Sequence, residues 1–283
     1  MRLCVEIVDL RFIDLDTNMQ EHDIRLIIDG EGIAKLTLNR PALHNAFDDR
    51  LIAGLTGRLR ELETTPDVRV IILAANGKSF SAGADLNWMK RMAGYSEPEN
   101  LRDAVALADL MHTLKDHSKP TIARVQGPAY GGGVGLIACC DIAVATRTAQ
   151  FALTEVRLGL LPAVISPYVV SAIGERMARR YFLTAERIDA MEALRIGLVH
   201  AVVDDDEELD RTVATLAVEL IKGGPRALAA TKNLITTVSR GPIDRRMIED
   251  TAGRIARLRV STEGREGIAA FLDKRPPDWQ KAK

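Results

Sequence analysis

The sequence is short of cysteine, of aromatic residues and of net charge. Its 283 residues contain three cysteines, too few for a disulfide framework, and the adjacent Cys139 and Cys140 lie in an apolar run where buried thiols are expected to fill space. Aromatic residues make up only 4% of the chain, which argues against stacking platforms for nucleic-acid bases. A net charge of −1 gives no field that would recruit nucleic acid or an anionic membrane, so neither is an expected partner.

Two kinds of segment are also missing. No apolar run approaches the length that is needed to span a bilayer. The start of the chain carries Glu6, Asp9, Asp14 and Asp16, which is the wrong charge for a signal or transit peptide, so a cytoplasmic protein is expected. The length of 283 residues suits one long domain or a main domain with an appendage.

Strands and glycine-marked turns organise the first part of the chain. A hairpin is predicted over residues 24–38, where two β-leaning runs flank Asp29-Gly30. Nearly continuous apolar runs predict buried strands over residues 68–75 and 121–125, and a third strand is predicted near Phe151. Because a strand, a turn and a helix-compatible stretch follow one another twice before Phe151, the sequence predicts an α/β spiral of β-β-α units.

Helices account for most of the rest. Asn45 is predicted to cap a helix that carries Phe47 on its apolar face. A helix over residues 100–114 has an apolar stripe made of Leu101, Val105, Leu107, Leu110 and Met111. Further helices are predicted over residues 207–221, 225–239 and 242–272. The chain is therefore predicted to comprise an N-terminal extension of uncertain order (1–23), a spiral core (24–203) and a C-terminal helical region (204–283).

The two glycine-marked turns and one carboxylate are the candidates for chemistry. The first turn, S-F-S-A-G-A-D-L, runs from Ser79 to Leu86, and the second, Q-G-P-A-Y-G-G-G-V-G-L, from Gln126 to Leu136. Amides at strand-to-helix turns are unpaired and point outward, so one amide from each turn could hold the same developing oxyanion. Glu155 would be the acid and base beside it. The alternatives are turns that serve packing alone and a glutamate that is a solvated surface charge.

Five motifs in order resemble the crotonase superfamily, the enoyl-CoA hydratase/isomerase family. They are N-R-P-A-L-H-N-A-F, S-A-G-A-D-L, G-P-A-Y-G-G-G-V-G-L, C-D-I-A-V-A and F-L-D-K-R-P-P-D-W, and the resemblance covers about residues 24–279. It implies a crotonase-like spiral core with a C-terminal helical trimerisation region, as a homotrimer or a dimer of trimers. It also implies an acyl-CoA substrate and no metal or organic cofactor. F-A-L-T-E-V-R-L-G-L-L-P-A-V-I-S-P-Y-V-V is similar to bacterial methylglutaconyl-CoA hydratases of leucine breakdown.

The resemblance also implies roles for individual residues. The amides of Ala84 and Gly132 would be the oxyanion donors, and Glu155 the general acid and base. The residues implied to contact the acyl-CoA are Ala84, Asp85, Leu86, Asn87, Gly131, Gly132, His44, Phe271 and Lys274. For Asp85 a structural role in its own turn is favoured over catalysis. His44 is equally well interpreted as a surface histidine, and Lys274 as a solvated cation of the tail.

One position departs from the family pattern. Well-known hydratases carry a second glutamate three residues after the middle glycine of the triplet, and this chain has Gly135 there. One carboxylate suffices to move a proton between C2 and C4, so an enoyl-CoA isomerase is the first alternative to a hydratase. A non-catalytic acyl-CoA-binding protein is the second. Similarity to the methylglutaconyl-CoA hydratases favours hydration of a short or branched enoyl-CoA.

Overall fold

A computed structural model describes residues 12–14, 23–239 and 241–280 of the chain. Apart from residues 12–14 and 23, the predicted extension 1–23 lies outside the described residues, and so does Cys4. The strands are β1 (Phe12–Asp14), β2 (Ile24–Asp29), β3 (Ile33–Leu38), β4 (Val70–Ala75), β5 (Thr121–Val125), β6 (Ala129–Tyr130), β7 (Ile142–Thr146), β8 (Gln150–Ala152), β9 (Ile188–Asp189) and β10 (Ala201–Val203).

The helices surround these strands. They are α1 (Asp49–Thr64), α2 (Leu86–Met92), α3 (Glu97–Lys115), α4 (Gly132–Cys139), α5 (Ser166–Thr184), α6 (Ala190–Ile196), α7 (Asp206–Ile221), α8 (Pro225–Val238), α9 (Arg245–Val260) and α10 (Thr262–Leu272). No helix in the described part of the chain is long and apolar enough to cross a membrane.

Two sheets form the spiral. The larger has the order β1-β2-β3-β4-β5-β7-β10, and the smaller has the order β6-β8-β9. From β3 to β10 the neighbouring strands of the larger sheet are parallel, whereas β1, β2 and β3 pair antiparallel. Because β4 and β5 are parallel neighbours, their carboxyl ends lie side by side at one edge of the sheet. The mixed α/β fold predicted from the sequence is confirmed.

Apolar layers cover both faces of the larger sheet. Side chains of α1, α3, α4 and α5 form the main core with one face, while Leu209, Val213 and Ala217 of α7 pack on the other. Every residue of β4 is buried, as its continuous apolar sequence predicts for a strand with both faces covered. After β10 the described regular elements are all helical. The division at residue 203 stays a prediction, since α7 packs on the sheet.

The predicted hairpin is confirmed, and its turn is held by one side chain. Oδ1 of Asp29 accepts hydrogen bonds from the amides of Glu31 (2.9 Å) and Ile33 (2.8 Å). These bonds satisfy two main-chain amides of the tight connection between β2 and β3, a role that Asp side chains have in many turns.

The predicted start of α1 is wrong. The helix begins at Asp49, and Asp48 is its cap, with Oδ1 accepting the amide of Leu51 at 2.8 Å. Asn45 instead is buried in a left-handed conformation (φ 53°), which asparagine tolerates better than most residues. Its Nδ2 donates to the carbonyls of Asn76 and Ser79, so Asn45 anchors the first glycine turn rather than the helix.

Two further helix predictions need correction. In α3 the predicted stripe is buried only in its second half: Leu110 and Met111 are buried, whereas Leu101 and Val105 are exposed. The first half of α3 therefore lies on the surface. The predicted helix 242–272 is two helices, because the hydroxyl of Ser261 accepts the amide of Gly264 and caps α10 directly after α9 ends.

Candidate active site

The two glycine-marked turns lie against each other. The first follows β4 and the second follows β5, so the parallel pairing of these strands brings both turns to one edge of the sheet. The amides of Phe80 and Ser81 both donate to the carbonyl of Pro128, and the amide of Tyr130 donates to the carbonyl of Ser81 at 2.9 Å. The turns are thus joined by main-chain hydrogen bonds, which fixes their relative position.

Phe47 connects both turns, a role that the sequence did not indicate. Its amide donates to the carbonyl of Gly83 and its carbonyl accepts the amide of Asp85, both at 2.7 Å, in a parallel bridge centred on Ala84. Its ring lies under the second turn: a Cβ atom built on Gly132 would be 3.2 Å from Cε2 of Phe47. A glycine at position 132 therefore lets the second turn pack directly on the ring of Phe47, whose main chain is bonded to the first turn.

The amides of Ala84 and Gly132 are unpaired. Within the described chain neither donates a hydrogen bond to another residue. The bridge to Phe47 uses the groups on either side of Ala84, so the Ala84 amide faces away from that pairing. Gly132 is the first residue of α4, and amides in the first turn of a helix have no partner inside the helix. Both amides are therefore available to a ligand oxygen.

Glu155 lies beside the second turn. It begins a short 3-10 turn (Glu155–Leu158) that follows β8, and the amide of Gly131 donates to the carbonyl of Ala152 at the end of the same strand. A Cβ atom built on Gly131 would be 3.2 Å from Oε1 of Glu155, and Gly131 has a φ of 49°, which favours glycine. A glycine at position 131 thus permits the carboxyl group to approach the main chain next to Gly132.

The carboxyl group of Glu155 is poorly solvated. Its Oε2 atom is buried without a hydrogen-bond partner. Burial raises the pKa of Glu155 above the ordinary value of 4.5, because removal from water disfavours the charged form. A raised pKa brings a carboxyl group closer to the range in which it both accepts and donates a proton near neutral pH.

No side chain fits at position 135. A Cβ atom built on Gly135 would lie 2.3 Å from Cγ2 of Ile165 and 3.2 Å from Cε of Met111. Real Cβ atoms do not approach other heavy atoms to 2.3 Å, so a glutamate at this position would require Ile165 to move. The departure from the family pattern seen in the sequence is therefore built into the packing.

Asp85 has the structural role that the sequence predicted. It is buried and caps α2, with Oδ1 accepting the amides of Asn87 (2.8 Å) and Trp88 (3.2 Å). Its other oxygen is 3.7 Å from Nη2 of Arg40. Leu86 and Asn87, the next two residues, are exposed beside the first turn.

His44 has a partner that the sequence did not reveal. Its Nδ1 is 3.1 Å from Oγ of Ser79, the first residue of the first turn, and its carbonyl accepts the amide of Ala82 at 2.9 Å. The ring is exposed at the rim of that turn. The structure thus brings His44 together with the predicted contact residues Ala84 to Asn87.

The structure places Phe271 and Lys274 elsewhere. Phe271 belongs to α10 and Lys274 lies just after it, and α10 packs on α8 and α9. The side chain of Phe271 is 82% exposed. Arg275, the residue after Lys274, forms a bidentate ion pair with Glu266.

Comparison with known proteins places this geometry in a family. The sequence profile described as enoyl-CoA hydratase/isomerase matches residues 29–282. The 2,3-dehydroadipyl-CoA hydratase of Escherichia coli is 34% identical over 247 residues, which are 87% of this chain and 94% of that protein.

Two solved structures with related sequences are similar to this chain in fold. An enoyl-CoA hydratase from Shewanella pealeana superposes with a TM-score of 0.89 at 46% identity, covering 92% of this chain and 97% of the other. An enoyl-CoA hydratase of Mycobacterium smegmatis has a TM-score of 0.86 at 31% identity, with coverage of 92% and 100%.

Proposed function

Because the chain belongs to the enoyl-CoA hydratase/isomerase family and is an enzyme of the hydratase type, we propose that Ala84, Gly132 and Glu155 carry out its reaction. The proposal rests on one observation. Oε2 of Glu155 is buried without a hydrogen-bond partner, and Glu155 lies beside the second glycine-marked turn, in which the amide of Gly132 is unpaired. A desolvated carboxyl group next to unpaired donors suits proton transfer at a carbon that is activated by a thioester.

The proposed reaction adds water across the C2–C3 double bond. The ionised Glu155 takes a proton from water while the hydroxyl oxygen bonds to C3, and the electron pair of the double bond moves onto the thioester oxygen. The amides of Ala84 and Gly132 stabilise that enolate oxygen. When the enolate collapses, C2 takes the proton from Glu155. One water molecule is added and the carboxylate is restored, so the reaction needs no metal or organic cofactor.

The two amides supply a large part of the proposed rate enhancement. Negative charge develops on the thioester oxygen only as the reaction proceeds, so fixed donors stabilise the transition state more than the substrate. Loss of one such donor typically costs about 3–4 kcal/mol of transition-state stabilisation. Because both donors are main-chain groups held by Phe47, side-chain truncation at Ala84 would not remove them.

A short or branched enoyl-CoA is the proposed substrate, with methylglutaconyl-CoA of leucine breakdown as the first compound to test. Sequence similarity around Glu155 supports it, and so does the relative from Escherichia coli, whose name specifies 2,3-dehydroadipyl-CoA, an enoyl-CoA with a carboxyl group at the far end of its chain. Ala84 to Asn87, Gly131 and His44 are proposed to line the thioester and pantetheine. Phe271 and Lys274 are proposed to contact coenzyme A from a neighbouring subunit.

The experiment is a turnover screen over a panel of enoyl-CoA substrates that includes methylglutaconyl-CoA and crotonyl-CoA. Loss of the ultraviolet band of the enoyl thioester reports hydration, and Glu155→Gln is the matched inactive control. Turnover of no member of the panel would refute the proposal.

An isomerase is the second candidate, because Gly135 supplies no second carboxyl group at the position where well-known hydratases carry one. A 3-enoyl-CoA distinguishes it, since isomerisation to the 2-enoyl-CoA creates the ultraviolet band instead of removing it. Formation of that band, with no loss of it from any 2-enoyl-CoA, would favour the isomerase.

The C-terminal helices are proposed to assemble the protein as a homotrimer or a dimer of trimers. Helices α8 and α9 bury no residue, although amphipathic helices gain most of their stability by burying an apolar face. Exposed apolar side chains of this region include Ile235, Ile248, Ile255, Val260, Ile268, Phe271 and Leu272. The molar mass from light scattering tests this: wild type should exceed one chain, and Ile248→Glu should reduce it. A monomeric wild type would refute it.

A further inference from the structure

The guanidinium group of Arg40 contacts both segments that form the first half of the site. Arg40 follows the end of β3 by two residues, and its side chain is only 10% exposed. Nη1 donates to the carbonyl of Ala46 at 2.9 Å, and Nη2 is 3.7 Å from Oδ2 of Asp85. These two contacts lie directly beside the bridge that Phe47 makes with Ala84. Arg40 therefore connects the two segments of that bridge.

The main chain of Arg40 is fixed as well. Its amide donates to Oδ1 of Asn45 at 2.8 Å, and its carbonyl accepts the amide of Asn45 at 3.0 Å. Asn45 also donates to the carbonyl of Ser79, the first residue of the first glycine-marked turn, at 2.8 Å. The base of the arginine side chain is thus bonded to a residue that is itself bonded to this turn.

Three carboxylates surround the guanidinium group. Nη1 is 2.9 Å from Oδ2 of Asp48 and Nε is 3.5 Å from Oδ2 of Asp23, in addition to the contact with Asp85. Asp48 and Asp85 cap α1 and α2, and their side chains are 15% and 9% exposed. Loss of the arginine would leave these two poorly hydrated carboxylates without their guanidinium partner, which is strongly unfavourable. Asp85 is the residue next to the proposed donor Ala84.

We infer that Arg40 is a positioning residue for the first oxyanion donor, because it connects the segments of the bridge that orients the amide of Ala84 and offsets the negative charge of Asp85. The inference rests on the proposed function, in which the amide of Ala84 binds the thioester oxygen. Arg40 bonds to main-chain and carboxylate groups of the protein, so it acts on the reaction through Ala84.

The effect of Arg40 is expected in kcat more than in KM. Negative charge develops on the thioester oxygen as the reaction proceeds, so a displaced donor weakens binding of the transition state more than binding of the substrate. A displacement of about 1 Å at a reacting centre can cost about 100-fold in rate. A carboxylate without its partner on the next residue acts in the same direction, because it repels the developing oxyanion.

The test replaces Arg40 by methionine, which keeps an unbranched side chain and removes the charge and the donors. Arg40→Met is expected to lower kcat by about 10- to 100-fold on the enoyl-CoA that wild type turns over best, with KM within about three-fold of wild type. Arg40→Lys keeps the charge and loses the planar fork of donors, so its kcat is expected to fall about three-fold or more and to lie between the other two. Arg40→Lys replaces Arg40→Met if that protein does not fold.

A second readout reports the oxyanion donors directly. In 4-dimethylaminocinnamoyl-CoA an electron-donating amine is conjugated to the thioester, so its absorption band moves to longer wavelength when hydrogen bonds polarise the carbonyl. Saturating wild-type protein is expected to shift this band to the red. With Arg40→Met the shift at saturation is expected to be about half as large or less, because one of two donors is displaced. A purely structural role of Arg40 would leave the shift of the folded variant unchanged.

Lys232→Met is the matched control. Nζ of Lys232 is 2.6 Å from Oδ2 of Asp141, and the two side chains are 16% and 25% exposed. The same Oδ2 accepts the amide of Thr121, the first residue of β5, so this ion pair lies at the end of β5 opposite the second glycine-marked turn. The control loses a largely buried ion pair away from the turns. Its kcat and band shift are expected to stay within about two-fold of wild type.

The outcomes are distinct. A folded Arg40→Met, or Arg40→Lys in its place, with the wild-type band shift overturns the inference whatever its rate, and so does a wild-type kcat; the hydratase proposal then stands. A wild type that hydrates no member of the panel overturns the hydratase proposal, and the band shift still decides the role of Arg40. A wild type that leaves the band unshifted overturns both the assignment of Ala84 as a donor and the inference.

Discussion

Replacement of Glu155 by glutamine should lower activity and raise stability at the same time. The change keeps the size of the side chain and removes its ionisable proton. General acid–base catalysis contributes about 100- to 10,000-fold to a rate, which is roughly 3–5 kcal/mol of activation barrier. Position 135, where well-known hydratases carry a second glutamate, is a glycine packed against Ile165. No carboxyl group at that position can therefore take over from Glu155. We therefore expect kcat/KM to fall by that factor.

The stability effect follows from the burial of the carboxyl group. Burial raises the pKa of Glu155 above 4.5, so the folded state binds the proton more tightly than the unfolded state. The free energy of unfolding then falls as the pH rises from 4.5 through the folded pKa. Glutamine has no such proton. The Tm of Glu155→Gln should therefore match that of wild type at about pH 4 and exceed it at about pH 8.

The size of the gain is limited by what remains buried. A buried polar atom without a partner costs about 1–3 kcal/mol, and Oε2 of Glu155 is such an atom. The glutamine amide is itself polar, so we expect a gain of no more than about 1 kcal/mol. In a chain of this size that corresponds to no more than about 2 °C in Tm.

Thermal unfolding at several pH values and hydration of the preferred enoyl-CoA measure the two effects. Glu175→Gln is the control, because Glu175 is exposed and pairs with Arg179 one helical turn away. Surface pairs of this kind contribute less than about 0.5 kcal/mol, so neither activity nor the pH dependence of Tm should change. An unchanged kcat/KM for Glu155→Gln, or a lower Tm at about pH 8, would refute the reasoning.

Three further predictions concern packing, capping and acid stability. Gly135→Ala should lower the free energy of unfolding in urea by about 1–3 kcal/mol, because the new Cβ overlaps Ile165; an unchanged value would contradict the described packing. Asp85→Ala removes the cap of α2 and should cost about 1 kcal/mol in the same measurement, with a higher KM than wild type, since α2 starts beside Ala84; normal stability would contradict the capping role. Burial lowers the pKa of His117 below 6.5, so the wild-type Tm should fall as the pH drops below 6.5. His117→Gln should lose that dependence, and Tm curves of the two proteins that stay parallel across pH would contradict this role of His117.

Most of the fold could be predicted from local signals in the sequence. The Asp29-Gly30 turn, the apolar strands over 68–75 and 121–125 and the two glycine-marked turns depend on neighbouring residues, and each is present in the structure. The role of Asp85 as a cap was equally predictable, because its partners are the next residues along the chain. The catalytic and binding roles of Ala84, Gly132 and Glu155 stay predictions.

Contacts between distant residues were not predictable. Phe47 fits the helical spacing of Leu51 and Leu55, and only the bridge to Ala84 shows that it precedes the helix. The apolar stripe of α3 looked uniform, although its first half has no partner in the described core. The overlap of Gly135 with Ile165 depends on how α4 packs against the start of α5, which no local pattern encodes.

The position of Phe47 has a consequence for how activity arises during folding. This single residue brackets Ala84 through its main chain and supports Gly132 through its ring, although the three are far apart in sequence. An intermediate in which only the N-terminal strands and the first turn have formed holds one of the two proposed donors and lacks its counterpart. Recovery of turnover after dilution from denaturant should therefore lag behind recovery of helical circular dichroism, and the enzyme's own reaction serves as a probe of the last tertiary contacts to form.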